Sequence, residues 1–222
     1  MTAGRLPAAV LWDFDGSLMD TEPRWAAMQH AFALELGAEL PADFHQHTVG
    51  RTMAESIAYI GSVARLDLDP VEVEAEMWRR MTAAFREGPL PWAAGARELA
   101  LELADAGVPQ AVVSTSVRSY LDSVLVRLTE VRFGFVIAGD EVRHRKPHPE
   151  PYLTAADALG VRPGDSVVIE DSPPGVAAGL AAGCAVLAVP TVGTFDAGGR
   201  LAVRPSLSGL GVADLTALLA SR

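Results

Sequence analysis

Ala8-Ala9-Val10-Leu11-Trp12 runs without a break into Asp13-Phe14-Asp15-Gly16-Ser17, and the fold class follows from that junction. A short apolar run with no polar alternation is the pattern of a strand buried on both faces, as in a parallel sheet covered by helices. Two acids and a glycine directly after it place carboxylates at the carboxyl end of the strand, where open parallel sheets gather their reactive groups. Taken alone, Asp-Gly-Ser is also an ordinary turn, so its meaning depends on the other strands. Runs of the same kind recur at Ala111 to Val113, Phe135 to Ala138, Val167 to Ile169 and Cys184 to Val189. Helical stretches lie between the later ones: Ala96 to Ala106, Arg118 to Leu128, Pro151 to Leu159 and Gly175 to Ala182. Strand alternating with helix implies right-handed crossovers and an α/β, doubly wound parallel sheet.

The first strand is followed instead by a long stretch, Leu18 to Gly88, whose pattern is helical throughout. Thr21 to Gly37 has Pro23 in its first turn and Trp25, Met28, Phe32 and Leu36 on one face. Thr52 with Glu55 forms a capping-box pattern ahead of Ile57 and Ile60. Asp69-Pro70-Val71-Glu72 supplies an N-cap, a first-turn proline and an acid at the third position. Val73, Met77 and Met81 then form a stripe that reads as bundle core, and Pro89, Pro91 and Gly95 mark the return to the sheet. The expected organisation is a core of residues 1–16 and 90–222 with a helical insert at 17–89.

The composition bounds the function. Of 222 residues, 50% are hydrophobic and 21% charged, and 28 acids against 18 bases leave a net charge of −10. A chain this long buries roughly 70–75% of its unfolded surface and folds without disulfides or structural metal. The acidic balance repels a polyphosphate backbone, and the longest basic run is only Arg143-His144-Arg145-Lys146, so no nucleic-acid partner is expected. Cys184 is the single cysteine, which excludes a disulfide framework and a thiolate metal cluster. It reads as a small buried hydrophobe in a reducing compartment. Nothing near the N-terminus has the pattern of an export signal, and a cytoplasmic location is expected. Ser172 to Phe195 carries no charge, but Pro173, Pro174, Pro190 and Gly193 cut it into pieces too short for a membrane span.

The other strand ends give Asp13 and Asp15 their meaning. Ser114-Thr115-Ser116 follows the second major strand and offers hydroxyls and amides to a phosphoryl oxygen, or caps to the helix at Arg118. The next strand leads to Gly139-Asp140 and then Lys146-Pro147-His148-Pro149, an ammonium in a proline-stiffened loop. The following one ends in Glu170-Asp171-Ser172, which can also cap the helix after it. Convergence of these ends would gather Asp13, Asp15, Glu170 and Asp171 beside Ser114 and Lys146. Four carboxylates together need a neutralising cation, and Mg²⁺, which takes oxygen ligands and a phosphate, fits such a site. The set reads as phosphoryl transfer: a carboxylate nucleophile, a second carboxyl for proton transfer, a metal, and a lysine with a hydroxyl for the phosphoryl oxygens.

With these motifs in this order, the sequence resembles the haloacid dehalogenase superfamily, close to its phosphatases and beta-phosphoglucomutases. Asp13-Phe-Asp15-Gly-Ser17-Leu-Met-Asp20 resembles the first motif, Ser114 the second, Lys146 in Lys-Pro-His-Pro-Glu the third, and Glu170-Asp171-Ser172 the fourth. Ser17 stands where Thr is usual and keeps the hydroxyl. The resemblance implies a Rossmann-like core with an inserted helical cap. It also implies that Asp13 attacks phosphorus and that Asp15 protonates the leaving alkoxide and then activates water. Asp13, the backbone carbonyl of Asp15 and Asp171, with Glu170 nearby, would hold Mg²⁺. Ser114, Thr115 and Lys146 would grip the phosphoryl group, and a small phosphorylated metabolite would be the substrate.

Two other readings stay open. A phosphosugar mutase shares the core motifs, but Trp25 falls where the mutases carry a cap histidine. Gly50-Arg51-Thr52 resembles a mutase step, with Met53 where its Arg is expected. A non-catalytic phosphoacceptor or metal-binding module has no use for a large cap or a second carboxyl. Arg51 and Glu22, with Arg24, are candidates to touch substrate; His45 and His47 near Asp43 read as surface histidines, and His144 and His148 as shaping the Lys146 loop.

Overall fold

The computed structural model describes residues 5–44, 53–191 and 193–220. In chain order its elements are β1 (Ala9–Trp12), α1 (Glu22–Glu35), α2 (Met53–Ala64), α3 (Pro70–Ala84), α4 (Ala96–Asp105), β2 (Gln110–Val113), α5 (Arg118–Leu125), β3 (Phe135–Ile137), α6 (Glu150–Ala158), β4 (Ser166–Glu170), α7 (Pro173–Ala181), β5 (Ala185–Ala188), β6 (Leu201–Val203) and α8 (Val212–Ala220). The six strands form one sheet in the order β3-β2-β1-β4-β5-β6, and every neighbouring pair is parallel. The order reverses direction at β1, and the crevice at such a switch point is where doubly wound sheets hold ligands. The edge strand β6 and helix α8 were not anticipated. Three half-buried residues, Leu201-Ala202-Val203, leave too short an apolar run to stand out in a sequence.

The central strands are buried along their whole length, as apolar runs without alternation require. Buried Trp12 needs a partner for its indole N–H and donates it to Gln110 Oε1 at 2.9 Å, while Gln110 Nε2 donates to the Ala100 carbonyl at 2.9 Å. Leu11, Val113, Ile137, Val168 and Val186 then pack with Tyr152, Ala155 and Val176 from α6 and α7. No helix among the described residues is long and apolar enough to cross a membrane. Cys184 is buried ahead of β5, and burial pushes its thiol up to about 12.

The chain divides into two compact units, Met1–Asp20 with Leu90–Arg222, and Thr21–Pro89. The expected boundary after Gly16 moves to Asp20, because the turn ties Ser17 to Asp20 to the sheet unit. Met19 bridges both Asp15 and Trp92, the Gly16 N–H donates to the Met19 carbonyl at 2.7 Å, and the Asp20 N–H donates to the Pro91 carbonyl at 2.6 Å.

The described residues of the second unit are helical in α1, α2 and α3. Its core joins Phe32, Phe44, Ile57, Ile60, Val73 and Met77, so the methionine stripe of α3 is packing. Asp69 caps α3, its Oδ1 accepting from Val71 N at 2.8 Å and Glu72 N at 3.3 Å. Thr52, of the expected capping box, lies outside the described residues, as do His45, His47 and Arg51.

Candidate active site

Sheet register brings the motif residues to one level. Trp12 pairs with Ile169 on one side and Val112 on the other, so Asp13 stands level with Glu170 and Val113. Lys146 closes the group from the β3–α6 loop. Its Nζ donates to Asp13 Oδ1 and Glu170 Oε1, both at 2.6 Å, and to the Val113 carbonyl at 2.9 Å. Three donors meet three acceptors, which is how a buried ammonium is satisfied. Tyr152 of α6 lies under it, the ring centroid 4.9 Å from Nζ and the hydroxyl donating to Glu170 Oε1 at 2.7 Å.

Glu170 is fully buried. Its Oε2 accepts from the Asp171 and Ser172 N–H groups, each at 3.1 Å, and from Ser172 Oγ at 3.0 Å. A carboxylate at the start of α7 also faces the positive end of the helix dipole. Gly175 makes the room: a Cβ there would sit 1.7 Å from Glu170 Oε1. Helix α7 begins at Pro173, two residues ahead of the expected Gly175, because Ser172 caps it, Oγ accepting from Gly175 N at 3.2 Å. Asp171 is held by Thr191, whose Oγ1 donates to Oδ2 at 2.8 Å. Gly16, at φ +91°, lets it in, since a Cβ would lie 2.2 Å from Asp171 Oδ2.

Asp13, Glu170 and Asp171 each present an oxygen, and these atoms lie within 4.8 Å of one another. Three carboxylates against one ammonium leave two negative charges in a dry site. Burial first, and then the Glu170 charge, push the Asp13 carboxyl well above the usual carboxylate range against the pull of Lys146. Burial works against the Lys146 ammonium too, but Asp13 and Glu170 outweigh it and its pKa stands above the ordinary lysine value. A hard donor set carrying two excess negative charges suits a hard divalent cation.

The expected cluster of four carboxylates closes with three. Asp15 follows Asp13 by two residues through a turn, and its carboxylate turns toward β2 and α5. It accepts from Ser116 Oγ at 2.5 Å and from Tyr120 OH at 3.3 Å.

Ser114 Oγ accepts from Ser116 N at 2.9 Å, and both serines are buried, whereas Thr115 is exposed. The serines do not cap α5; the Arg118 N–H donates to Asp140 Oδ1 at 3.0 Å instead. Gly139 is obligatory behind this turn, because a Cβ would lie 2.1 Å from the Thr115 carbonyl oxygen. Ser17 Oγ is buried with no hydrogen-bond partner among the described residues.

Around Lys146, Glu150 braces the loop: it accepts from Arg143 N at 2.8 Å and from His144 N at 3.1 Å, and meets His144 Nδ1 at 2.7 Å. In the helical unit Glu22 sits in the first turn of α1. Arg24 donates to the Ala84 and Pro89 carbonyls at 3.2 and 3.0 Å and stacks 4.3 Å over the Phe85 ring.

Sequence reasoning missed Tyr120, Tyr152 and Thr191, as well as the clearance at Gly175. The available signal was the rule that a buried tyrosine needs a partner for its hydroxyl, but spacing does not say which carboxylate it meets.

A doubly wound sheet with acids and one lysine at its strand ends defines a class of α/β enzymes. Residues 10–189 match the haloacid dehalogenase-like hydrolases, and the chain belongs to that family, in its phosphatase and phosphoglucomutase-like branch. It is 32% identical over 182 residues to a phosphorylated carbohydrates phosphatase of Thermotoga maritima, covering 79% of this chain and 81% of that one. It is also 32% identical over 191 residues to a bifunctional riboflavin kinase/FMN phosphatase of Arabidopsis thaliana, covering 85% of this chain and 50% of that longer one. Among solved structures, CbbY from Rhodobacter sphaeroides in complex with phosphate superposes with a TM-score of 0.79 at 25% identity, over 95% of this chain and 99% of that one.

Proposed function

We propose that the protein is a Mg²⁺-dependent phosphomonoesterase that hydrolyses a small phosphorylated metabolite through a phosphoryl group carried on Asp13. The observation that supports this most is Lys146 Nζ, held 2.6 Å from both Asp13 and Glu170 where three strand ends meet. Asp13, Asp171 and the Asp15 carbonyl are the residues to hold the cation, with Glu170 supporting them. When bound, Mg²⁺ supplies Lewis-acid stabilisation of the phosphoryl oxygens.

Asp13 Oδ forms a bond to phosphorus as the ester P–O bond breaks, and Asp15 gives its proton to the departing oxygen. Asp15, now ionised, takes a proton from the water that attacks phosphorus, and the P–O bond to Asp13 breaks to release inorganic phosphate. Ser114, the Thr115 amide and Lys146 bind the phosphoryl oxygens, and Lys146 offsets charge that develops on them.

The helical unit acts as a cap that selects the leaving group, with Glu22 and Arg51 as its candidate contacts. A mutase must hold a second phosphate, and Trp25, at the position where a mutase histidine is expected, packs edge-on against Trp78 with centroids 4.9 Å apart. That favours hydrolysis. The buried, unpaired thiol of Cys184 suits a reducing, cytoplasmic setting.

Phosphate release and glucose 1-phosphate isomerisation, measured with Mg²⁺ on a panel of phosphorylated metabolites, test the assignment. Hydrolysis that Asp13→Asn abolishes while the fold persists is the expected result. No turnover on any panel member, together with failure of beryllium fluoride to bind at Asp13, would falsify it.

A further inference from the structure

We infer that Ser116 and Tyr120 are positioning residues that aim Asp15 at the leaving-group oxygen, an inference that rests on the acid/base role proposed for Asp15. The two hydroxyls grip different oxygens of one carboxylate: Ser116 Oγ donates to Oδ2 at 2.5 Å and Tyr120 OH to Oδ1 at 3.3 Å. Two bonds on two oxygens set the plane of the carboxylate as well as its direction.

Both donors are themselves buried and held by further contacts. Ser116 is buried, its N–H donates to Ser114 Oγ at 2.9 Å, and its carbonyl accepts from Gly139 N at 2.8 Å. Tyr120 is fully buried on α5, and its ring meets Phe14 edge-on at 5.9 Å, with the planes at 87°. Phe14 stands between Asp13 and Asp15 in the chain. The backbone that places the nucleophile therefore packs on the side chain that helps to orient the acid/base. A proton donor contributes only when it lies within reach of the atom it serves, and an error of about 1 Å costs on the order of a hundredfold.

The consequence is selective for chemistry. Breaking the ester bond needs Asp15 as an acid only when the leaving oxygen is a strong base. Hydrolysis of the phosphoryl-Asp13 intermediate needs it as a base whatever has left. Because kcat/KM reports steps up to the loss of the leaving group, it separates the two roles.

The test compares phenyl phosphate with 4-nitrophenyl phosphate, esters of similar size whose leaving groups differ in basicity, in wild type, Ser116→Ala and Tyr120→Phe with Mg²⁺. Ser116→Ala is expected to lower kcat/KM on phenyl phosphate about 10–100-fold and on 4-nitrophenyl phosphate less than about threefold. Tyr120→Phe, which removes the longer bond, should show the same selectivity at about 3–10-fold. Ser116→Thr, which keeps the hydroxyl, should recover most of the loss. Equal losses on the two esters in both variants mean a structural role and overturn the inference; so does a gain on phenyl phosphate, which means that the hydroxyls hold Asp15 away. Wild-type protein without Asp13-dependent turnover of either ester overturns the phosphatase reading itself, and the role of Asp15 falls with it.

Discussion

In each of the two units a cation bridges two carboxylates at the same short distance. In the sheet unit Lys146 lies 2.6 Å from both Asp13 and Glu170; in the helical unit Arg80 lies 2.6 Å from both Glu35 and Glu76. The distances are the same and the surroundings are opposite. The Lys146, Asp13 and Glu170 side chains are 2%, 10% and 0% exposed, against 24%, 58% and 28% for Arg80, Glu35 and Glu76. Hydrogen bonds from Arg79 and then Arg80 hold the Glu76 carboxyl down to about 2, while burial and Glu170 drive Asp13 well above its usual range. In water, charge pairing is nearly free and slightly stabilising. In a dry strand-end crevice each charge is costly, and an excess of carboxylates suits the site to a cation at the expense of stability.

The largest test of that contrast is to remove the central cation from the buried cluster. Lys146→Met should destabilise the fold by about 3–5 kcal/mol, because it leaves buried carboxylates uncompensated. Adding Glu170→Gln should recover part of that loss in a denaturant titration without restoring turnover. If Lys146→Met cost no more than removing Arg80 from its exposed pair, the difference between the two clusters would be wrong.

A smaller effect is expected from Gly175→Ala, whose methyl needs the space held by Glu170 Oε1. Overpacking of this kind costs about 1–3 kcal/mol. Here it should also lower kcat, because Glu170 is one of the three acceptors that hold Lys146.

The smallest effect belongs to the exposed cluster. Glu76 has a folded pKa of about 2, below the ordinary value of 4.5. Its contribution is therefore whole above the ordinary glutamate range and disappears as pH falls from there through about 2. Glu76→Gln should lower Tm slightly at neutral pH and low salt, and the gap to wild type should close on acidification and shrink in high salt.

The parts of the site that could be read in sequence are those that mark strand ends. Asp13, Ser114 and Glu170 each follow an apolar run directly, and Asp171 comes next after Glu170; that adjacency is local information. Lys146 was legible because the prolines at 147 and 149 make its loop unusual. Asp15 was legible as a chemical group but not in its direction, since a turn of two residues can face it toward either neighbour of β1. Tyr120, Tyr152 and Thr191 lie 105, 18 and 20 residues from the carboxylates they bond, and no periodicity reports such pairings.

From sequence alone follow the alternation of strands and helices, the helical insert after the first strand, and the chemical character of the strand ends. These depend on local propensity and on the period of apolar residues, which each segment carries by itself. Only the tertiary structure decides that β1 lies between β2 and β4, that three carboxylates, not four, gather in one cluster, and that Lys146 bonds two of them. The same holds for the closeness of Asp171 and Glu170 to the glycines at 16 and 175. Those outcomes come from register and close packing between segments far apart in the chain, and a side chain's neighbours across a sheet are set by which strands pair, not by what precedes it.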